Sequence, residues 1–245
     1  MKLTLSEPKT FKESIAILSD LVTETTITVT QENLEIIAMD PANVAMVIFK
    51  LSKNNFAEYE VKEEKESISV NLTNLKQILR RLKTKDILTL EASENKLKIT
   101  MKAKNTRTFN IPLIELENEN QKIPDLNFET TIQLPSATLN DSIDDVDIVG
   151  ESVTFHSLDN TLNISSSGDL TNANVRLNPD DEIDINSNSE QKSKYSTEYL
   201  KKMIQGSKIT DKTNIKFSSN YPLRLEYHAE GASLEFILAP RVDND

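Results

Sequence analysis

The residues best able to do chemistry in this 245-residue chain are its charged ones. Lys76, Arg80 and Lys83 recur at i, i+4 and i+7, so a helix would set them on one face, with Arg81 beside them and Lys85 just after. A row of this kind is either a solvated helix face or a line of phosphate contacts. Phosphate contacts need charge and reach but no base-edge geometry, so they give affinity without sequence choice. A second cluster is acidic: Asp141, Asp144, Asp145 and Asp147 put four carboxylates within one short segment. Mg²⁺ accepts one or two carboxylates plus water, so a carboxylate metal-dependent hydrolase is kept as an alternative. The spacing is not that of an EF-hand and nothing nearby supplies a base or nucleophile, so no metal ligand and no catalytic residue is assigned. The chain has no Cys, which removes disulfides, thiolate metal sites and a Cys nucleophile. Its two His, His156 and His228, are too few for a multi-His centre and read as surface or strand histidines. Four Gly leave no room for a Gly-rich phosphate loop, and no cofactor is expected.

The net charge is −11 and it is unevenly placed. Residues 1–122 hold 18 basic and 18 acidic residues, residues 123–245 hold 10 and 21. This balance argues against indiscriminate DNA binding through an open surface. It leaves room for one basic face with acid elsewhere, because screening acts over about 8 Å at physiological salt. The opening residues contain no long apolar core and no later stretch approaches membrane-spanning length, so the expectation is an intracellular protein, in the cytoplasm or nucleoid (the nucleus if eukaryotic), with no membrane partner.

The elements that would carry these side chains appear twice. Shifted by 128 residues, Phe11 falls on Leu139, Ser14 on Ser142, Ile15 on Ile143, Leu18 on Val146 and Leu34 on Leu162. With a shift of 125 to 127, Leu75 meets Leu200, Ile78 meets Met203 and Leu90 meets Phe217. That period is too long for a solenoid and fits two similar domains. The polar, Pro-containing stretch at 117–125 reads as their linker, giving domains 1–116 and 128–245 around a connecting loop at 117–127. Helical spacing predicts helices over 8–22, 71–83, 136–149 and 196–206. Period-two alternation predicts strands at 25–30, 34–38, 87–90, 97–101, 153–155, 162–164, 215–217, 223–227 and 234–238. Many strands with two short helices per half give an α+β fold of antiparallel sheets with helices on one side.

Several segments, taken in order, resemble the DNA polymerase sliding clamp family in its archaeal proliferating cell nuclear antigen (PCNA) form. They are Ala38–Pro41 with Val44, Ser69–Leu79, Ile123–Pro124, Gly168–Leu177, Tyr195–Leu200, Tyr221–Tyr227 and Leu238–Val242. The resemblance covers essentially the whole chain. It implies a non-enzymatic trimeric ring of two-domain subunits, with helices lining a hole for double-stranded DNA. DNA polymerase, clamp loader, flap endonuclease and DNA ligase would dock on it through short peptide motifs and gain processivity in replication and repair. One subunit of a heterotrimeric or checkpoint-type clamp is the alternative within the family.

The resemblance also assigns residues. Lys9, Lys12, Lys76, Arg80, Arg81, Lys83, Lys201, Lys202 and Lys208 would meet DNA phosphate. Met39, Val44, Ile123, Pro124, Phe128, Pro222, Ala239 and Pro240 would wall the partner pocket, where an adaptable Met suits several ligands. Edge strands over 108–113 and 173–177, carrying Phe109, Ile111, Val175 and Leu177, would pair between subunits. Three features depart from the family pattern. In the first helix Glu13 stands where the family often has a basic residue. The third helix is acidic where the family is usually basic, with Asp141 also suited to a helix N-terminal part, and Gln121 stands where family linkers often hold an apolar residue.

Overall fold

The computed structural model describes residues 1–116 and 121–242, so residues 117–120 of the expected connecting loop and the last three residues lie outside it. The described residues form two compact units. The first is built from Met1–Pro41, the described part of Val47–Lys122 and Ala229–Leu234. The second is built from Ala42–Met46, Ile123–His228 and the described part of Glu235–Asp245.

In the order of the chain, the first half runs β1 (Lys2–Leu5), α1 (Lys9–Leu18), β2 (Glu24–Thr30), β3 (Asn33–Met39), β4 (Ala45–Ser52), β5 (Glu58–Glu60), β6 (Lys65–Asn71), α2 (Leu72–Leu79), β7 (Ile87–Ser93), β8 (Lys96–Lys102) and β9 (Thr106–Pro112). One sheet has the order β5-β1-β7-β8-β9, and β4-β3-β2-β6 are neighbours in another. The strands pair antiparallel, with Ile27 opposite Ile36 and Leu90 opposite Ile99. Alternation does the rest: Ile27, Val29, Leu34, Ile36, Leu88, Leu90, Leu97 and Ile99 are buried, while the residues between them reach outward. β4 breaks the alternating rule. Ala45, Met46, Val47, Ile48 and Phe49 are all buried, so its apolar run is a strand covered on both faces.

The second half continues with β10 (Thr130–Pro135), α3 (Ser136–Asp147), β11 (Ser152–Leu158), β12 (Thr161–Ser167), β13 (Asn172–Leu177), β14 (Asp184–Ser187), β15 (Gln191–Ser196), α4 (Thr197–Met203), β16 (Lys212–Phe217), β17 (Leu223–Ala229) and β18 (Ala232–Leu238). A four-stranded sheet has the order β13-β12-β11-β15, and β14-β10-β16-β17 are neighbours in another. Gly206 lies in the short 3₁₀ turn after α4, where a Cβ would come within 2.4 Å of the Tyr227 ring, so this backbone closes on the sheet only without a side chain.

The α+β reading and the duplicated apolar register are both present. Phe11, Ile15 and Leu18 in α1 and Leu139, Ile143 and Val146 in α3 are fully buried, and Ser14 and Ser142, one repeat apart, are buried with them. The expected helices come out shorter at their ends. α1 closes at Leu18 in a tight turn, where Leu21 N–H donates to the Leu18 carbonyl (3.0 Å), and Pro8 precedes the helix instead of sitting in its first turn.

Candidate nucleic-acid and partner interfaces

α2 begins because Asn71 caps it, its side chain accepting from Asn74 N–H at 3.0 Å. Leu72, Leu75 and Leu79 are buried and hold it to its unit. Leu79 is also its last residue, which corrects the expected helix over 71–83. Arg80 is the C-cap, while Arg81 and Lys83 lie in the following turn. The cause is Asp86, whose carboxylate accepts Lys83 N–H at 2.7 Å and whose own N–H donates to the Lys83 carbonyl at 3.0 Å, turning the chain into β7. Arg80, Arg81 and Lys83 are exposed. Lys76 is half-buried and paired with Asp20 at 2.5 Å, so it is the one basic residue of α2 whose charge is already met. Lys9 at the start of α1 is exposed, Lys12 half-buried, and both line a cleft of about 510 Å³ with Lys83, Glu7 and Glu13.

The second unit carries the other expected cations. Lys201 Nζ is 2.5 Å from Asp144 and 3.3 Å from Asp147. The hydrogen bond from Lys201 to Asp144 raises the lysine pKa above its ordinary value, with Asp147 adding to it. Lys202 pairs with Glu198 at 2.8 Å and lies over the Tyr199 ring at 5.3 Å. Lys208 is exposed at the end of the 3₁₀ turn. Asp141, Asp144, Asp145 and Asp147 are all exposed along α3. The first turn of α3 holds no acid, so Asp141, in its second turn, gains little from the helix dipole, which corrects the expected N-terminal role of that residue.

Most of the expected partner-docking residues belong to the second unit. Phe128 meets Tyr221 edge to face at 5.9 Å beside Pro222. Ala239 N–H donates to the Val44 carbonyl at 2.9 Å, which ties the tail to the Val44 segment, and Arg241 N–H fixes it again on the Lys194 carbonyl at 2.7 Å. Ile123 remains 37% exposed and Pro124 is exposed, while Val44, Phe128, Pro222, Ala239 and Pro240 are half-buried. Met39 is half-buried and lies in the first unit.

Family models for proliferating cell nuclear antigen match both halves, the N-terminal domain over residues 1–127 and the C-terminal domain over 122–242. The chain belongs to the PCNA family. Curated relatives called "DNA polymerase sliding clamp" include one from Pyrococcus furiosus, 35% identical over 96% of both chains, and one from Nanoarchaeum equitans, 33% identical over 99% of this chain and all of the relative. The fold matches crystal structures of PCNA from Entamoeba histolytica (TM-score 0.92, 21% identity, 98% of each chain) and Thermococcus kodakaraensis (TM-score 0.91, 23% identity, 98% of this chain and 99% of that one).

Within this PCNA-family chain, β9 and β13 are the last strands of their sheets. Phe109 and Val175 are half-buried, whereas Ile111 and Leu177 are buried in their own units, so the latter two can offer a neighbour main chain only. Asp144 and Asp147 of α3 are drawn to Lys201, and among the described residues no group of three or more acids and histidines is placed to hold a metal ion. His156 pairs with Glu190 at 2.7 Å and His228 is exposed on β17, so both are strand histidines. Asp20, Asp86 and Arg107 carry no signal in the sequence. Asp20 and Lys76 are 56 residues apart, Asp86 and Arg107 are 21 apart, and no local spacing marks such a pairing.

Proposed function

We propose that this chain works as a DNA sliding clamp, a non-catalytic ring around double-stranded DNA that tethers polymerase and other replication and repair enzymes. The observation that carries this reading is the full-length PCNA match laid over two units whose helices, two in each, bury an apolar stripe and turn the other side outward. We divide the chain into clamp domains at 1–116 and 128–245 with a connecting loop at 117–127. The ring is a trimer in which β9 of one subunit pairs with β13 of the next, satisfying both open edges. Such a ring works where the chromosome is, inside the cell.

Lys9, Lys12, Arg80, Arg81, Lys83 and Lys208 then meet phosphate as exposed or cleft-lining cations. Lys76, Lys201 and Lys202 contribute more weakly because carboxylates already hold them. Polymerase, clamp loader, flap endonuclease and ligase dock by short helical peptides at Ile123, Pro124, Phe128, Pro222 and the tail. A light-scattering mass of three subunits at micromolar concentration is expected; a single-subunit mass that becomes a ring only with a related chain would replace the homotrimer by a heterotrimer. Peptide docking of this kind reaches micromolar affinity, about −8 kcal/mol. Ile123→Ala should weaken a polymerase tail peptide about tenfold while leaving thermal stability nearly unchanged. The reverse result would make Ile123 a linker anchor and withdraw the assignment of its neighbours.

A further inference from the structure

The turn after α2 is held by a clamp that the helix itself does not need. Asp86 is buried, and its carboxylate takes the Lys83 N–H at 2.7 Å together with one arm of the Arg107 guanidinium. The other arm of Arg107 donates to the Arg81 carbonyl at 2.8 Å. Arg107 stands on the edge strand β9, opposite Met101 of β8. One planar side chain therefore ties two points of the turn, Arg81 and Asp86, to a rigid sheet edge. Only a guanidinium can do this, since an ammonium has no fixed fork. Between those points lie Lys83 and Lys85, and Arg80 and Arg81 stand at the start of the turn, all of them exposed.

We infer that Asp86 and Arg107 are positioning residues that hold the basic turn Arg80–Lys85 in register with β9, so that its cations present together to a polyanionic phosphate backbone. The inference rests on the clamp reading above. Ordering matters because four long side chains on a mobile turn lose entropy each time they bind, whereas a turn fixed in advance loses less. Asp86 opposes this role if charge alone is considered: it is an acid within a basic turn, and simple electrostatics assigns it a repulsive effect on DNA.

That opposition gives the test. Asp86→Asn removes a negative charge, so charge alone predicts tighter binding to a labelled linear duplex that a ring can thread. The positioning role predicts weaker binding, because the Lys83 N–H and the Arg107 guanidinium both fall on one carboxylate oxygen, Oδ2, and a neutral amide oxygen in its place holds them less strongly. The expected result is severalfold weaker binding, with the slope of log affinity against log salt reduced by roughly 0.9 for each phosphate no longer neutralised. Faster amide hydrogen exchange confined to residues 81–86 should accompany it. Tighter binding, or unchanged exchange, overturns the inference. Arg107→Lys keeps the net charge and serves if Asp86→Asn fails to fold. It should reproduce the weaker binding, and wild-type binding there would also overturn the inference. Arg80→Ala with Lys83→Ala tests the underlying reading separately. If that pair leaves the salt slope unchanged, the turn does not meet DNA and the clamp reading of this surface fails. If it lowers the slope while Asp86→Asn does not, only the positioning role fails.

Discussion

The two helix pairs share a buried face and differ almost completely on the other. α1 buries Phe11, Ile15 and Leu18, α3 buries Leu139, Ile143 and Val146 at the same spacing, and α2 and α4 bury Leu75 and Leu200. Outward, the first pair leads into Arg80, Arg81 and Lys83, all exposed, while the second presents four aspartates and ties Lys201 to two of them. Burial of apolar area holds the stripe to a narrow choice of residues, about 1.5–3 kcal/mol for each large side chain. The solvated face carries no such constraint, so after a duplication it is free to change its charge entirely. The fold is thus symmetric in pattern and asymmetric in field.

The comparison can be broken first at the shared face. Leu75→Ala and Leu200→Ala should each cost about 2–5 kcal/mol in urea or thermal unfolding, since both side chains are fully buried. A change below about 1 kcal/mol at either position would mean that the two stripes are not equivalent. At the unlike faces, Asp144→Lys with Asp145→Lys should tighten duplex binding and steepen its salt slope by up to roughly 0.9 for each further phosphate neutralised. Part of that gain would come from Lys201, which loses its partner at 2.5 Å and keeps only Asp147 at 3.3 Å. Weaker binding after this reversal would show that α3 does not face DNA. The smallest effect is expected from Lys201→Met, below about 1 kcal/mol, because the pair is exposed and screened. Its pH dependence has a definite sign. The Lys201 pKa is raised, so its contribution is whole below the ordinary 10.5 and is lost only as pH climbs through the higher folded value. Stability of wild type and Lys201→Met should therefore run parallel from about pH 6 to 9 and converge only in alkali.

Helix and strand positions are legible in the sequence wherever one face is buried, because periods of 3.6 and 2 are written directly into Leu72, Leu75 and Leu79 or Ile27 and Val29. β4 is not legible: a strand covered on both faces has no alternation to find. Helix ends are hidden too, since Lys83 fits the basic face of a longer α2 and only the Asp86 carboxylate, accepting its N–H, shows that the helix has already stopped. The docking residues come from resemblance to the family, and Val44 beside Ala239 is a neighbour relation that no sequence interval reveals.

By itself, then, the sequence determined the duplicated architecture, the family and the sign of charge on each outer face. These depend on residue type and on spacing within one element. Apart from Lys202, whose partner Glu198 stands four residues earlier on α4, which cations stand free was decided by tertiary structure. Asp20 reaches Lys76 across 56 residues and Arg107 reaches Asp86 across 21, and Coulomb attraction and hydrogen bonding depend on distance in space, which is set only when the sheets close.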